Sequence, residues 1–134
     1  MDTQRIRRLS ARAAALAALA AALMLLPIAA PAQSVRMLIQ SSPLAGFQYH
    51  EAPLWFDDMK TGDALVLRRE PGNPYDSRAV QVLWHGHLLG YVPRTENQTL
   101  AWAMDRGDPL SARISRLRRS RNPRQRVEFE VFVE

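Results

Sequence analysis

The chain has no cysteine, and its 134 residues include a single lysine, Lys60. The first absence excludes disulfides and thiolate metal sites, so burial alone has to hold the fold. The second leaves 17 of the 18 basic residues as arginine, which points to a genome-wide coding bias before it points to phosphate recognition. Catalytic signatures are missing too. There is no Gly-x-Ser-x-Gly elbow, no phosphate-cradling Gly-x-x-x-x-Gly-Lys and no His-Glu-x-x-His helix. With no cysteine nucleophile either, the sequence reads as a non-enzyme that needs no cofactor.

What is present begins with a targeting pattern. Arg5, Arg7, Arg8 and Arg12 precede an apolar run over residues 13–26, followed by Pro27 and the small-residue sequence Ala30-Pro31-Ala32. This order of charge, apolar stretch and small residues reads as a secretory signal peptide over residues 1–32, cleaved after Ala32. A spanning helix needs about 20 residues of firmer hydrophobicity, so no stable membrane span is expected after cleavage. Arg7-Arg8 leads into Leu9-Ser10-Ala11 and not into a strongly apolar pair, which favours the general secretory route over twin-arginine export. The expected location is the periplasm or the extracellular space. Removal also changes the electrostatics. The whole chain carries a formal charge of +5, but the first 32 residues hold four Arg and one Asp, so the remainder keeps only +2. Overall basicity is therefore a poor warrant for nucleic-acid binding.

The remaining 102 residues suit one domain with one core. Residues 35–41 have strand character, Ser42-Pro43 reads as a break, and residues 44–49 resume an extended pattern. We thus expect an N-terminal segment over 33–43 and the domain proper over 44–134. Trp55, Phe56 and Met59 fit a short helical or looping stretch. Alternation predicts strands over 64–69, 79–84 and 88–92, the last two joined by a tight turn at His85-Gly86-His87. Leu100, Ala101 and Met104 predict a helix opened by Thr95 as cap and closed by Gly107. Leu110, Ala112 and Ile114, then Val127, Phe129, Val131 and Val133, alternate with polar neighbours as two long closing strands. The predicted fold is mainly β: a small antiparallel five- or six-stranded barrel of OB or SH3-like form with one or two flanking helices, the cheapest way to protect sheet edges in so short a chain.

Three groups of residues invite a chemical reading. His85-x-His87 would chelate a metal only if both sat on one strand face, and Gly86 favours a turn that splays them. Asp57 and Asp58 are adjacent and point apart, which suits a solvated loop better than acid-base work. Between the last two strands lie Arg113, Arg116, Arg118, Arg119, Arg121, Arg124 and Arg126 with no acid among them. Such a hairpin attracts phosphates or an acidic protein partner, or serves as a solvated tip guarding two strands against aggregation.

The turn Glu70-Pro-Gly-Asn-Pro-Tyr-Asp76 is built of ordinary turn formers, yet its flanks are distinctive. Residues 67–80, Leu-Arg-Arg-Glu-Pro-Gly-Asn-Pro-Tyr-Asp-Ser-Arg-Ala-Val, and residues 89–94, Leu-Gly-Tyr-Val-Pro-Arg, closely resemble the HIRAN domain. The segments Ala45-Gly-Phe-Gln-Tyr49 and Thr61-Gly-Asp-Ala-Leu65 match it as well. The resemblance covers residues 44–106 well and the last two strands loosely. It implies a small barrel related to oligonucleotide-binding folds that holds DNA, in particular the 3′ end of a single strand. Carried over by motif position, Tyr49 and Tyr75 would stack on or flank terminal bases, Asn73 would help hold the phosphate, and Asp76 would accept from the terminal 3′ hydroxyl. Tyr91 and Arg94 would line the backbone path. Gln48 stands where a DNA-binding relative carries Arg, which removes one phosphate contact from the implied set. Family members are often fused to a helicase motor and a zinc-binding ring module, and this sequence carries neither. The alternative is an exported envelope module of the same fold that reads a protein, peptide or glycan.

Overall fold

A computed structural model describes Pro27 and residues 35–134. The proposed signal peptide and its cleavage site lie outside the described residues. No helix among the described residues is long and apolar enough to cross a membrane.

Six antiparallel strands form one sheet: β1 Met37–Pro43, β2 Ala64–Arg69, β3 Val80–Trp84, β4 His87–Tyr91, β5 Leu110–Leu117 and β6 Val127–Val133, in the order β1-β6-β5-β2-β3-β4. A four-residue helix, Ala52–Trp55, and a longer one, Gln98–Asp105, accompany it. The alternation that marks β6 in the sequence is realised in space. Val127, Phe129 and Val131 are fully buried, while Glu128 and Glu130 between them stay partly exposed. Their inward faces meet Ile114, Val80, Val82, Leu89, Leu100 and Phe47 in a single core. Strand β3 is buried along its whole length, and its outward Gln81 is roofed by Arg68 and Glu70.

The sheet is not closed by a continuous ladder. Its two ends touch at one bridge just beyond β1, where Ala45 and Tyr91 exchange both backbone hydrogen bonds, each 2.9 Å long. Leu44, one residue earlier, still donates to the Val127 carbonyl at 2.9 Å. The mainly β, six-stranded architecture agrees with the expectation from sequence.

Four local expectations are corrected. Ser42-Pro43 does not break the first strand, since Ser42 pairs with Phe129 and Pro43 with Glu128. A proline lacks a donor on one side only, and an edge strand needs none on its open side. The stretch after it is not extended throughout: Phe47–Tyr49 form a 3-10 turn entered through Gly46, whose φ of 75° suits glycine. The hairpin turn is two residues, not three. His85 and Gly86, with φ of 47° and 80°, make it, and His87 already pairs with Trp84 in β4. The long helix begins after Asn97 and not at Thr95, which sits in a separate 3-10 turn, Arg94–Glu96.

Candidate functional site

The turn between β2 and β3 is organised by two side chains of its own. Asn73 Oδ1 accepts from the Tyr75 amide at 2.9 Å and the Asp76 amide at 3.1 Å, an Asx arrangement that folds the chain back without glycine at those positions. Asp76 Oδ1 accepts from the Arg78 amide at 2.9 Å. The result thrusts Tyr75 outward, 84% exposed, while Asp76 sits half-buried beneath it.

Asp76 has a second anchor. Its Oδ2 accepts from Asn97 Nδ2 at 2.6 Å. Asn97 is fully buried at the start of the long helix, and its side chain makes no capping bond there. A residue type favoured at helix starts is thus turned to another task. Arg69 ties the far side of the turn: Nη1 donates to the Ala79 carbonyl at 2.7 Å and Nη2 to the Ser77 carbonyl at 3.0 Å. Its Nε meets Asp105 Oδ1, at the other end of the same helix, at 2.9 Å.

Under the turn lies a polar network centred on Glu70. Its Oε2 accepts from the Tyr91 hydroxyl at 2.6 Å, Gln81 Nε2 at 3.2 Å and Asn73 Nδ2 at 3.3 Å. The Tyr91 bond is the main reason the Glu70 carboxyl is held below its ordinary value; burial opposes it, and Asn73, Gln81 and Arg68 add to it. Tyr91 is raised in turn, by burial first and by the carboxylate it donates to second. For Asp76 burial acts upward, but the Arg78 amide, Asn97 and the charges of Arg94 and Arg78 together outweigh it, and the carboxyl lies below its ordinary value. Asp76 is therefore an acceptor at neutral pH. A carboxylate offers about four lone-pair sites, so its two internal bonds leave room for a ligand donor.

These shifts fix the direction of the pH response. A carboxyl lowered in the fold adds stability that is full above its unfolded value and is lost as pH falls through the folded one. The raised Tyr91 hydroxyl adds stability that is full below its unfolded value and is lost at alkaline pH. Glu70→Gln should flatten the acid side: between about pH 5 and pH 3 the urea midpoint of the variant should fall less than that of the parent. Parallel acid profiles for the two proteins would remove Glu70 from this role.

Two clefts meet over this framework. One, of about 210 Å³, is lined by Ala45, Asn73, Tyr75, Asp76, Ala79, Tyr91, Val92 and Arg94. The other, of about 460 Å³, is lined by Gln48, Tyr49, Arg94 and Arg124 among others, and shares Ala45 and Arg94 with the first. Every site residue expected from the sequence borders one of the two. Asn73, Tyr75, Asp76 and Tyr91 gather in the first, Gln48 and Tyr49 in the second, and Arg94 lies between. Tyr49 is 78% exposed, so two aromatic faces stand open at opposite ends. The Tyr91 hydroxyl, by contrast, is turned to Glu70 and presents no free donor to the path.

Sequence reasoning missed Gln81 and Asn97, and it placed Glu70 in the turn and Arg124 in the basic hairpin without joining either to the candidate site. Asn97 reaches Asp76 across 21 positions, and Gln81 and Tyr91 reach Glu70 across 11 and 21, pairings that leave no local mark in the sequence. His85 and His87 go separate ways: His87 stacks on Trp55 at 4.1 Å and its Nδ1 lies 3.2 Å from Glu51, whereas His85 packs edge-on against Trp84. Among the described residues no three His, Asp or Glu side chains converge as metal ligands.

The family described as HIRAN domain matches residues 38–134. A crystal structure of a protein from Lactobacillus plantarum is similar at 28% identity with a TM-score of 0.65, over 74% of this chain and 95% of that one. The crystal structure of the HIRAN domain of human HLTF is similar at 18% identity with a TM-score of 0.53, over 76% of this chain and 80% of that one, a likeness of fold. No curated protein matches.

Proposed function

From a chain that belongs to the HIRAN domain family over residues 38–134, we propose a non-enzymatic nucleic-acid-binding module that holds the 3′ end of a single DNA strand in the two joined clefts. The observation that carries this reading is the pairing, in one cleft, of an outward Tyr75 with a half-buried, ionised Asp76. An aromatic face stacks on any base. A carboxylate among phosphates is tolerable where it meets a hydroxyl donor, and a free 3′ hydroxyl is one. Arg94, which lines both clefts, in this reading meets the phosphate on the 5′ side of the terminal sugar. Asn73 serves through the turn it shapes, because its carbonyl oxygen is already committed to two amides.

Fluorescence anisotropy with short single strands tests the reading. A strand ending in a 3′ hydroxyl should bind at least about tenfold tighter than the same strand ending in a 3′ phosphate, since the phosphate sets like charge against Asp76. Tyr75→Ala should weaken binding roughly 5- to 150-fold, the equivalent of about 1 to 3 kcal/mol of stacking. Asp76→Ala should erase the preference for the hydroxyl without altering binding to strand interiors. Equal affinity for both ends in the parent protein sinks the proposal. Export by the N-terminal segment belongs to the same reading, and the intact N-terminus on the exported protein would contradict cleavage after Ala32.

A further inference from the structure

Arg124 lines the cleft that holds Tyr49, yet it belongs to the β5–β6 hairpin, in the 3-10 turn Pro123–Gln125. On the other side of the Phe47–Tyr49 turn the same hairpin forms a further cleft of about 400 Å³. Arg119, Arg121 and Arg126 line it, together with Phe47, Phe56 and one carboxylate, Asp57. We infer that this basic cleft continues the nucleic-acid path, carrying the phosphates of nucleotides upstream of the 3′ end over the Arg-rich hairpin. The direction of the path rests on the end-binding reading; the cationic extension itself does not.

The hairpin is shaped for this and is not a loose tip. Arg126 lies over the Phe47 ring at 5.0 Å and donates to the Ser120 carbonyl at 2.8 Å, which fastens the turn to the base of the cleft. Asn122 Oδ1 accepts from the Arg124 amide at 3.1 Å and so shapes the turn that carries Arg124. Arg121 and Arg124 have no ion-pair partner among the described residues, and both are exposed. Arg119 pairs with Asp57, but both side chains are more than three-quarters exposed, at 79% and 76%. Such a pair contributes little and exchanges readily for a phosphate. Arg124 stands in the same cleft as the exposed Tyr49 ring, on which a base can stack, and this suits a phosphodiester strand better than an acidic peptide, which offers carboxylates without bases.

The test compares 5′-labelled oligothymidylates of two and ten nucleotides, both ending in a 3′ hydroxyl, on the parent protein and on Arg119→Gln/Arg121→Gln. The parent should bind the ten-mer at least about fivefold tighter than the dinucleotide. The double variant should lose that advantage while its dinucleotide affinity stays as it was. The dependence of log Kd on log salt for the ten-mer should become shallower by about 1.4, or 0.7 for each of two phosphate contacts. Equal affinity for both lengths, or an unchanged salt slope in the variant, overturns the inference. So does polyglutamate binding that matches the ten-mer. Discrimination between 3′ hydroxyl and 3′ phosphate on the dinucleotide reports on the end site alone, so failure of either idea is visible without the other.

Discussion

Gly90→Ala is expected to lower the melting temperature by roughly 10 to 20 °C, or about 3 kcal/mol in a domain of this size. The sequence marks Gly90 only as part of the segment Leu89-Gly-Tyr-Val-Pro-Arg94, and its φ is not in the left-handed region. The cause is space. A Cβ there would fall onto the Ala45 carbonyl oxygen, and it would stand 3.1 and 3.2 Å from Leu44 Cδ1 and Cγ. A backbone oxygen cannot rotate aside. The segment after β1 would have to move, breaking the two Ala45–Tyr91 hydrogen bonds and lifting the buried Leu44 from the core. Because Ala45 floors both clefts, ligand affinity should drop with stability. Gly72→Ala is the control: a Cβ there meets nothing within 4 Å, and stability should change by less than about 0.5 kcal/mol. Differential scanning calorimetry on both variants decides it, and a Gly90→Ala protein melting with the parent would refute the clash.

Asn97→Asp should be destabilising by about 3 to 5 kcal/mol at neutral pH, the cost of leaving a buried charge unpaired. The change is nearly isosteric, but it replaces the amide that donates to Asp76 at 2.6 Å with a second carboxylate in a fully buried position. Two carboxyls so close cannot both ionise, so one is pushed up in the fold. A raised carboxyl contributes stability that is present below its unfolded value and lost as pH rises through the folded one. The variant should therefore become more stable between about pH 8 and pH 5, where the parent shows no such gain. Chemical denaturation across that window is the measurement. A variant whose stability is flat there, or falls toward acid, would show that Asn97 and Asp76 are not in contact. At pH 5 the recovered variant should also have lost its preference for a 3′ hydroxyl, since a protonated Asp76 shared with its neighbour no longer acts as a free acceptor.

Much of this molecule could be read from local pattern. Alternation delimited Ala64–Arg69 correctly and identified both closing strands, because each has one face in the core and one in water. The turn was legible through Asn73 and Asp76, turn formers that lie within four positions of one another, whereas the candidate site residues came from the resemblance of its flanks to the HIRAN domain. What stayed hidden depends on partners far along the chain. Pro43 looked like a breaker because the sequence does not say that its strand lies at an edge. Asn97 looked like one more helical residue because its partner is 21 positions earlier. Arg124 was grouped with a basic hairpin, and only the packing of that hairpin on the Phe47–Tyr49 turn brings it beside Tyr49.

The long helix is tied to the β2–β3 turn at both of its ends, through Asn97 on Asp76 at the start and Asp105 on Arg69 at the finish. A turn braced in this way has few conformations to surrender when a ligand arrives. The loss of freedom falls on folding, and association is spared it. Affinity for a strand end would then be limited by how fast that end leaves, while the protein waits in the form it needs.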